Sequence, residues 1–102
     1  MAKYELTKEA SEDLYRIWYY TVNTWSEHQA DKYYSILIAS FRIIAEKPKE
    51  IGKSYDVIYP GLKGERVGKH IVFFIPRNDK ATLIVRVLHE KMDFKHHLND
   101  KL

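Results

Sequence analysis

The chain has 102 residues, no cysteine and a net charge of +3. At this length one domain, residues 1–102, with a single modest core is expected. The missing cysteines exclude a disulfide framework, a thiolate nucleophile and a cysteine-built zinc site, and no apolar run approaches the ~20 residues that cross a bilayer.

The first residues, Met1 to Glu5, enter a folded pattern at once and leave no room for a signal peptide, so a cytoplasmic protein is expected. The charge is unevenly spread. Residues 1–46 hold five Lys/Arg against seven Asp/Glu, and residues 47–102 hold twelve against seven. The second half therefore attracts an acidic partner, whether a nucleic acid or an acidic protein segment.

Tyr4-Glu5-Leu6 reads as a short first strand, and Thr7 as the N-cap of a helix running to about Asn23. Ala10, Leu14, Ile17, Trp18 and Thr21 follow the three-four spacing of a buried stripe. Glu9, Glu12 and Asp13 fall in the first turns, where the helix dipole favours negative charge. Ser26 and Gln29 form a capping box for a second helix, whose stripe runs through Ala30, Tyr33, Tyr34, Leu37, Ile38, Phe41, Ile44 and Ala45 until Pro48 bars continuation. So short a turn between two long helices makes an antiparallel hairpin.

From Pro48 to Gly64 the Pro and Gly punctuation predicts a long loop with local structure around Tyr55 to Tyr59. The period then changes. Glu65 to Val67 is a short strand, Gly68 a turn or bulge, His70 to Ile75 a second strand, residues 76–80 a turn and Thr82 to Leu88 a third strand. The last two are nearly continuous apolar runs, which are covered on both faces. The helical hairpin covers one face, leaving the other to the tail, the long loop or a partner. The fold class is thus α+β: a hairpin of helices on a small, mostly antiparallel sheet. The tail from Glu90 reads as a short final helix, capped by Asp93, or as an arm.

Chemistry-bearing patterns are sparse. No His-x-x-x-His pair stands on a helix, no carboxylate completes a metal set, and no phosphate-cradling Gly-rich loop is present. No metal and no cofactor is expected. RNA cleavage through the 2′-hydroxyl needs only a base, an acid and cations on the phosphate. Arg66, Lys69, Arg86 and His89 are the candidates. Strand alternation opposes the tidiest pairing, because it groups Arg86 with Ile84 and Leu88 and sets His89 with Leu83, Val85 and Val87. Arg86 then reads as one half of a structural ion pair. Tyr15, Tyr19, Tyr20, Tyr33 and Tyr34 read as core-edge packing, with any exposed subset suited to a protein interface.

The stretches Tyr4 to Ala10 with Asp13-Leu14 and Ile17, Trp25-Ser26 with Gln29-Ala30, Ile44 to Pro48, Gly68 to Phe74 and Ile84 to His89 with Met92-Asp93 and His97-Leu98 stand in the order and spacing of one family. On them the chain resembles the RelE/ParE toxin superfamily, its ParE branch most closely, across nearly its whole length. The resemblance implies the toxin half of a bacterial toxin–antitoxin, or plasmid stabilisation, pair. Such a toxin acts by binding and poisoning DNA gyrase, is neutralised by a small ParD-like antitoxin in a hetero-oligomer, and meets nucleic acid only through that antitoxin. It also implies that Arg66, Lys69, Arg86, His89, Met92, Phe94, His97 and Leu98 contact antitoxin or target, the apolar second face of the sheet receiving the antitoxin. The alternative it carries is a RelE-type, ribosome-dependent endoribonuclease using Arg66, Arg86 and His89.

Overall fold

The computed structural model describes residues 3–78 and 80–99. Strand β1 (Tyr4–Leu6) leads into helices α1 (Lys8–Thr24) and α2 (Glu27–Glu46). Strands β2 (Lys53–Ser54), β3 (Lys63–Val67), β4 (His70–Ile75) and β5 (Thr82–His89) follow, and a short helix α3 (Phe94–Asn99) ends the described chain. The predicted strands and helices are all present, and β2 adds a two-residue strand inside the expected loop. Residue 79 of the predicted turn and residues 100–102 of the tail lie outside the described residues.

Local chemistry fixes the helix ends. The Thr7 hydroxyl accepts the Ala10 amide at 3.0 Å, and the Ser26 hydroxyl accepts the Gln29 amide at 3.1 Å. Each satisfies an amide that the first helical turn leaves without an intrahelical partner. Thr7 does a second job: its hydroxyl donates to the Val85 carbonyl at 2.7 Å, which fastens the start of α1 to the sheet.

The sheet runs β1-β5-β4-β3-β2, with β1 parallel to β5 and the remaining neighbours antiparallel. Strands β3 and β4 meet in a two-residue turn, Val67 opposite His70, with Gly68 at φ +60°. The register of β4 on β5 slips between Phe73 and Phe74, so that Arg86 lies opposite Phe73 and Ile84 opposite Phe74. Val85 is the extra residue of a bulge. This corrects the regular alternation expected of β5. Ile84 packs with Val87 on the helical side, while Val85 packs with Leu88 on the other.

Two cores sandwich the sheet. On one face Ala10 and Leu14 of α1 and Leu37, Phe41 and Ile44 of α2 pack on Val72, Phe74, Ile84 and Val87. On the other, Leu62 and Leu98 pack on Ile71, Phe73, Val85 and Leu88, with Tyr55, Ile58 and Phe94 closing the edges. The second face is therefore covered by the long loop and the tail of the chain itself. The expectation that an antitoxin segment supplies this cover is corrected: Leu62 and Leu98 are fully buried there, and Phe94 sets its ring edge-on to Phe73 and Tyr55. The aromatic rings of the loop and tail reach far enough to cover the sheet with few residues.

Candidate functional site

A groove of about 990 Å³ opens where the C-terminal half of α1 meets the end of β5 and the tail. Ile17, Tyr20, Trp25 and Met92 give it apolar surface; Lys69 and Lys91 give it cationic groups, and His89 and His97 add imidazole rings. Its construction starts from a buried ion pair. Asp13 and Arg86, 4% and 6% exposed, are among the few buried charges of the chain. Arg86 donates Nε to Asp13 Oδ2 at 2.7 Å and Nη2 to Oδ1 at 2.9 Å. Asp13 Oδ2 also accepts the Val87 amide at 3.0 Å, and Oδ1 accepts Arg16 Nη2 at 2.9 Å. The remaining Arg86 Nη1 donates to the His97 carbonyl.

The pair has a clear purpose. Strand β1 accompanies β5 only from Thr82 to Ile84. Beyond that point β5 is an edge, and an edge amide buried without a partner is costly. Asp13 supplies that partner, and the bidentate guanidinium neutralises Asp13 in turn. The hydrogen bonds to Asp13 hold the Arg86 guanidinium charged, pushing its pKa further up against the opposing effect of burial. One arginine thus ties α1, β5 and α3 together at the groove floor. Its reading as half of a structural ion pair agrees with this geometry, whereas Asp13 is a buried anchor and more than a dipole-favoured acid.

A second cluster forms the groove wall. The Tyr33 hydroxyl lies 2.7 Å from His70 Nδ1 and 3.1 Å from the Val67 carbonyl, and accepts the Lys69 amide at 3.2 Å. One hydroxyl proton serves one acceptor. Given to the Val67 carbonyl, it leaves Nδ1–H of His70 as donor to the tyrosine oxygen. Burial, reinforced by the neighbouring His89, lowers the His70 pKa to about 4, so the ring is neutral near pH 7. The His70 and His89 rings meet edge-to-face across the two strands. Burial raises the Tyr33 pKa, which keeps its hydroxyl protonated.

Of the residues singled out in the sequence, Lys69, Arg86, His89, Met92 and His97 line this groove. Arg66 stands outside it, in an ion pair with the groove residue Glu90. Phe94 and Leu98 pack in the second core. Arg66 and Arg86 are thus both committed to carboxylates, and His89 Nδ1 accepts the Lys91 amide at 3.2 Å. Among the described residues no group of three or more His, Asp or Glu is placed to hold a metal ion. Sequence reasoning missed Asp13, Tyr20, Trp25 and Tyr33 as groove residues. The signal for Asp13 was available: it falls on the Ala10–Leu14–Ile17 stripe, where a carboxylate needs a cation, and Arg86 was the one cation inside an apolar strand.

Comparison with known proteins gives one answer. The family described as the ParE toxin of the type II toxin–antitoxin system parDE matches residues 4–94. Toxin ParE of Escherichia coli is 34% identical over 102 residues, spanning 100% of this chain and 98% of that protein. Toxin ParE1 of Caulobacter vibrioides is 35% identical over 98 residues, 96% of this chain and 99% of its own. Toxin ParE1 of Mycobacterium tuberculosis is 32% identical over 97 residues, 95% and 98% of the two chains. Among solved structures, a chain of the chromosomal ParDE system from P. aeruginosa superposes with a TM-score of 0.76 at 18% identity, covering 87% of this chain and 96% of that one, which establishes the shared fold.

Proposed function

The chain belongs to the ParE toxin family of type II toxin–antitoxin systems, and from that premise we propose that it acts by binding, with DNA gyrase as its target and a small ParD-like antitoxin as its neutraliser. The observation that carries this reading is the groove: apolar side chains interleaved with cations, beside residues whose charges are already spent on internal ion pairs. An antitoxin segment with apolar and acidic side chains matches that lining. Lys69 and Lys91 meet its charges, His89 and His97 offer it hydrogen bonds, and Ile17, Tyr20, Trp25 and Met92 meet its apolar groups. The working state in the cell is a hetero-oligomer with the antitoxin in the cytoplasm, a location that rests on the family. Nucleic acid enters only through the antitoxin.

The nuclease alternative asks Arg66 and Arg86 to stabilise a scissile phosphate. Both pair with carboxylates, and the burial of Arg86 keeps it from a phosphate; Lys69 and Lys91 are the groove cations that stand near His89. Supercoiling of relaxed plasmid by purified gyrase tests the proposal. Added toxin is expected to inhibit it, and added antitoxin to restore it. Supercoiling untouched by excess toxin that still arrests growth removes gyrase as the target, and messenger RNA cut on translating ribosomes points to the nuclease instead.

A further inference from the structure

Helix α1 has a second flank that the groove does not use. There, on the side facing the start of α2, a notch of about 430 Å³ is lined by Leu6, Ser11, Tyr15, Trp18, Asp31 and Tyr34. Its aromatic surface is held in the open: Tyr15 is 65% exposed and Tyr34 42%, and Tyr15 stacks on Tyr19 with ring centroids 6.1 Å apart. Trp18 spends its only donor on Asp31, Nε1 to Oδ1 at 2.9 Å. The indole is half-buried beside the exposed Tyr15 and Tyr34, and Asp31 keeps an oxygen without a partner among the described residues. Glu12 follows Ser11 directly and Glu27 stands one turn before Asp31, against the lysines Lys8 and Lys32 at neighbouring positions.

π-surface beside a half-used carboxylate is the chemistry that takes a guanidinium, stacked on the rings and hydrogen-bonded to the acid. The large groove on the opposite flank has the reverse character, cations over apolar surface. Helix α1 thus separates a notch whose one charged lining residue is Asp31 from a groove whose unpaired charges, among the described residues, are Lys69 and Lys91, and the two favour partners of opposite charge.

We infer that the notch between α1 and α2 docks an arginine-bearing segment of the toxin's protein target, leaving the large groove to the acidic neutralising segment. The inference uses the toxin reading for its cellular test but not the identity of the target. Two experiments decide it. In a Trp25→Phe chain, Trp18 is the remaining indole and reports locally on the notch. Its fluorescence is expected to respond saturably to a hexa-arginine peptide and not to hexa-glutamate. Asp31→Asn, whose amide oxygen still accepts from Trp18, is expected to weaken the arginine peptide by about twofold to fivefold. No response, or equal binding by Asp31→Asn, overturns the proposal. In growing bacteria, Tyr15→Ala and Asp31→Asn chains are expected to lose growth arrest while still binding the antitoxin as tightly as the parent chain. Full arrest by both variants overturns it, as does loss of antitoxin binding along with arrest. Growth arrest by the parent chain without gyrase inhibition removes gyrase and leaves the notch standing.

Discussion

The two faces of the sheet are built by different means. One is covered by two helices of 17 and 20 residues, each capped at its start. The other is covered by Leu62 and its neighbours in a long loop and by a six-residue helix whose contribution is chiefly Phe94 and Leu98. The first face draws on continuous helical stripes, so its residues rise and fall together. The second is assembled from separate short segments, each of which is expected to open at lower cost than the helical face. The bulge at Val85 joins the two, because it turns Val85 and Leu88 to the loop-and-tail side while Ile84 and Val87 stay with the helices.

Breaking the link between the faces has the largest expected effect. Asp13→Ala leaves the Arg86 charge and the Val87 amide both unpaired in a buried setting, at a cost of about 3–5 kcal/mol, the upper part of that range being expected. Denaturant unfolding measures it, and a loss below about 1 kcal/mol contradicts the anchoring role. Next come paired truncations on the two faces. Phe41→Ala on the helical face is expected to cost about 3–5 kcal/mol, and Leu98→Ala about 2 kcal/mol because the tail can settle into the space. Hydrogen exchange sharpens the contrast: Leu98→Ala is expected to accelerate exchange in residues 94–98 while α2 stays protected, and equal acceleration of both argues for a single cooperative core.

Smaller effects follow at the groove wall. Gly68 has φ +60°, and a Cβ there would sit 2.7 Å from the Tyr33 hydroxyl, so Gly68→Ala is strained twice. A loss of about 1–3 kcal/mol is expected, with the Tyr33–His70 contact displaced in the spectrum of the His70 ring. The pH effect concerns one ring of the same wall. His70 is neutral in the folded chain down to about 4 because burial and His89 oppose its charge, although Asp13 and Glu90 favour it. The unfolded chain takes that proton near about pH 6.5. The His70 contribution is therefore whole above that value and is lost as pH falls through it toward 4. His70→Gln is expected to flatten the dependence of the unfolding midpoint between about pH 7 and about pH 5; an unchanged slope assigns the titration elsewhere.

Much of the fold was legible in the sequence because helices and strands write different periods. Thr7, Ser26 and Pro48 marked the helix ends, and the unbroken apolar runs of β4 and β5 announced strands covered on both sides. What covered the second face was not legible. Tyr55, Ile58, Leu62, Phe94 and Leu98 lie in two stretches far apart in the chain with no shared period, and only the tertiary arrangement brings them together. The bulge at Val85 was hidden for a related reason: both neighbours of Arg86 are apolar, so the strand reads alike in either phase. The candidate site was half visible. Basic and histidine residues near the end of β5 fall at the groove, while Tyr20 and Tyr33 read as core-edge packing and Trp25 only as part of the hairpin turn until the hairpin set them over that corner.

The central claim is that a partner is received in the groove beside α1 and not on the second face of the sheet. Hydrogen exchange of the toxin alone and with its antitoxin tests this most directly. The expected result is new protection in residues 16–25 and 86–92, with residues 55–62 exchanging as before. Protection gained chiefly at residues 55–62, with exchange accelerated at 94–98 as the tail is displaced, would contradict it.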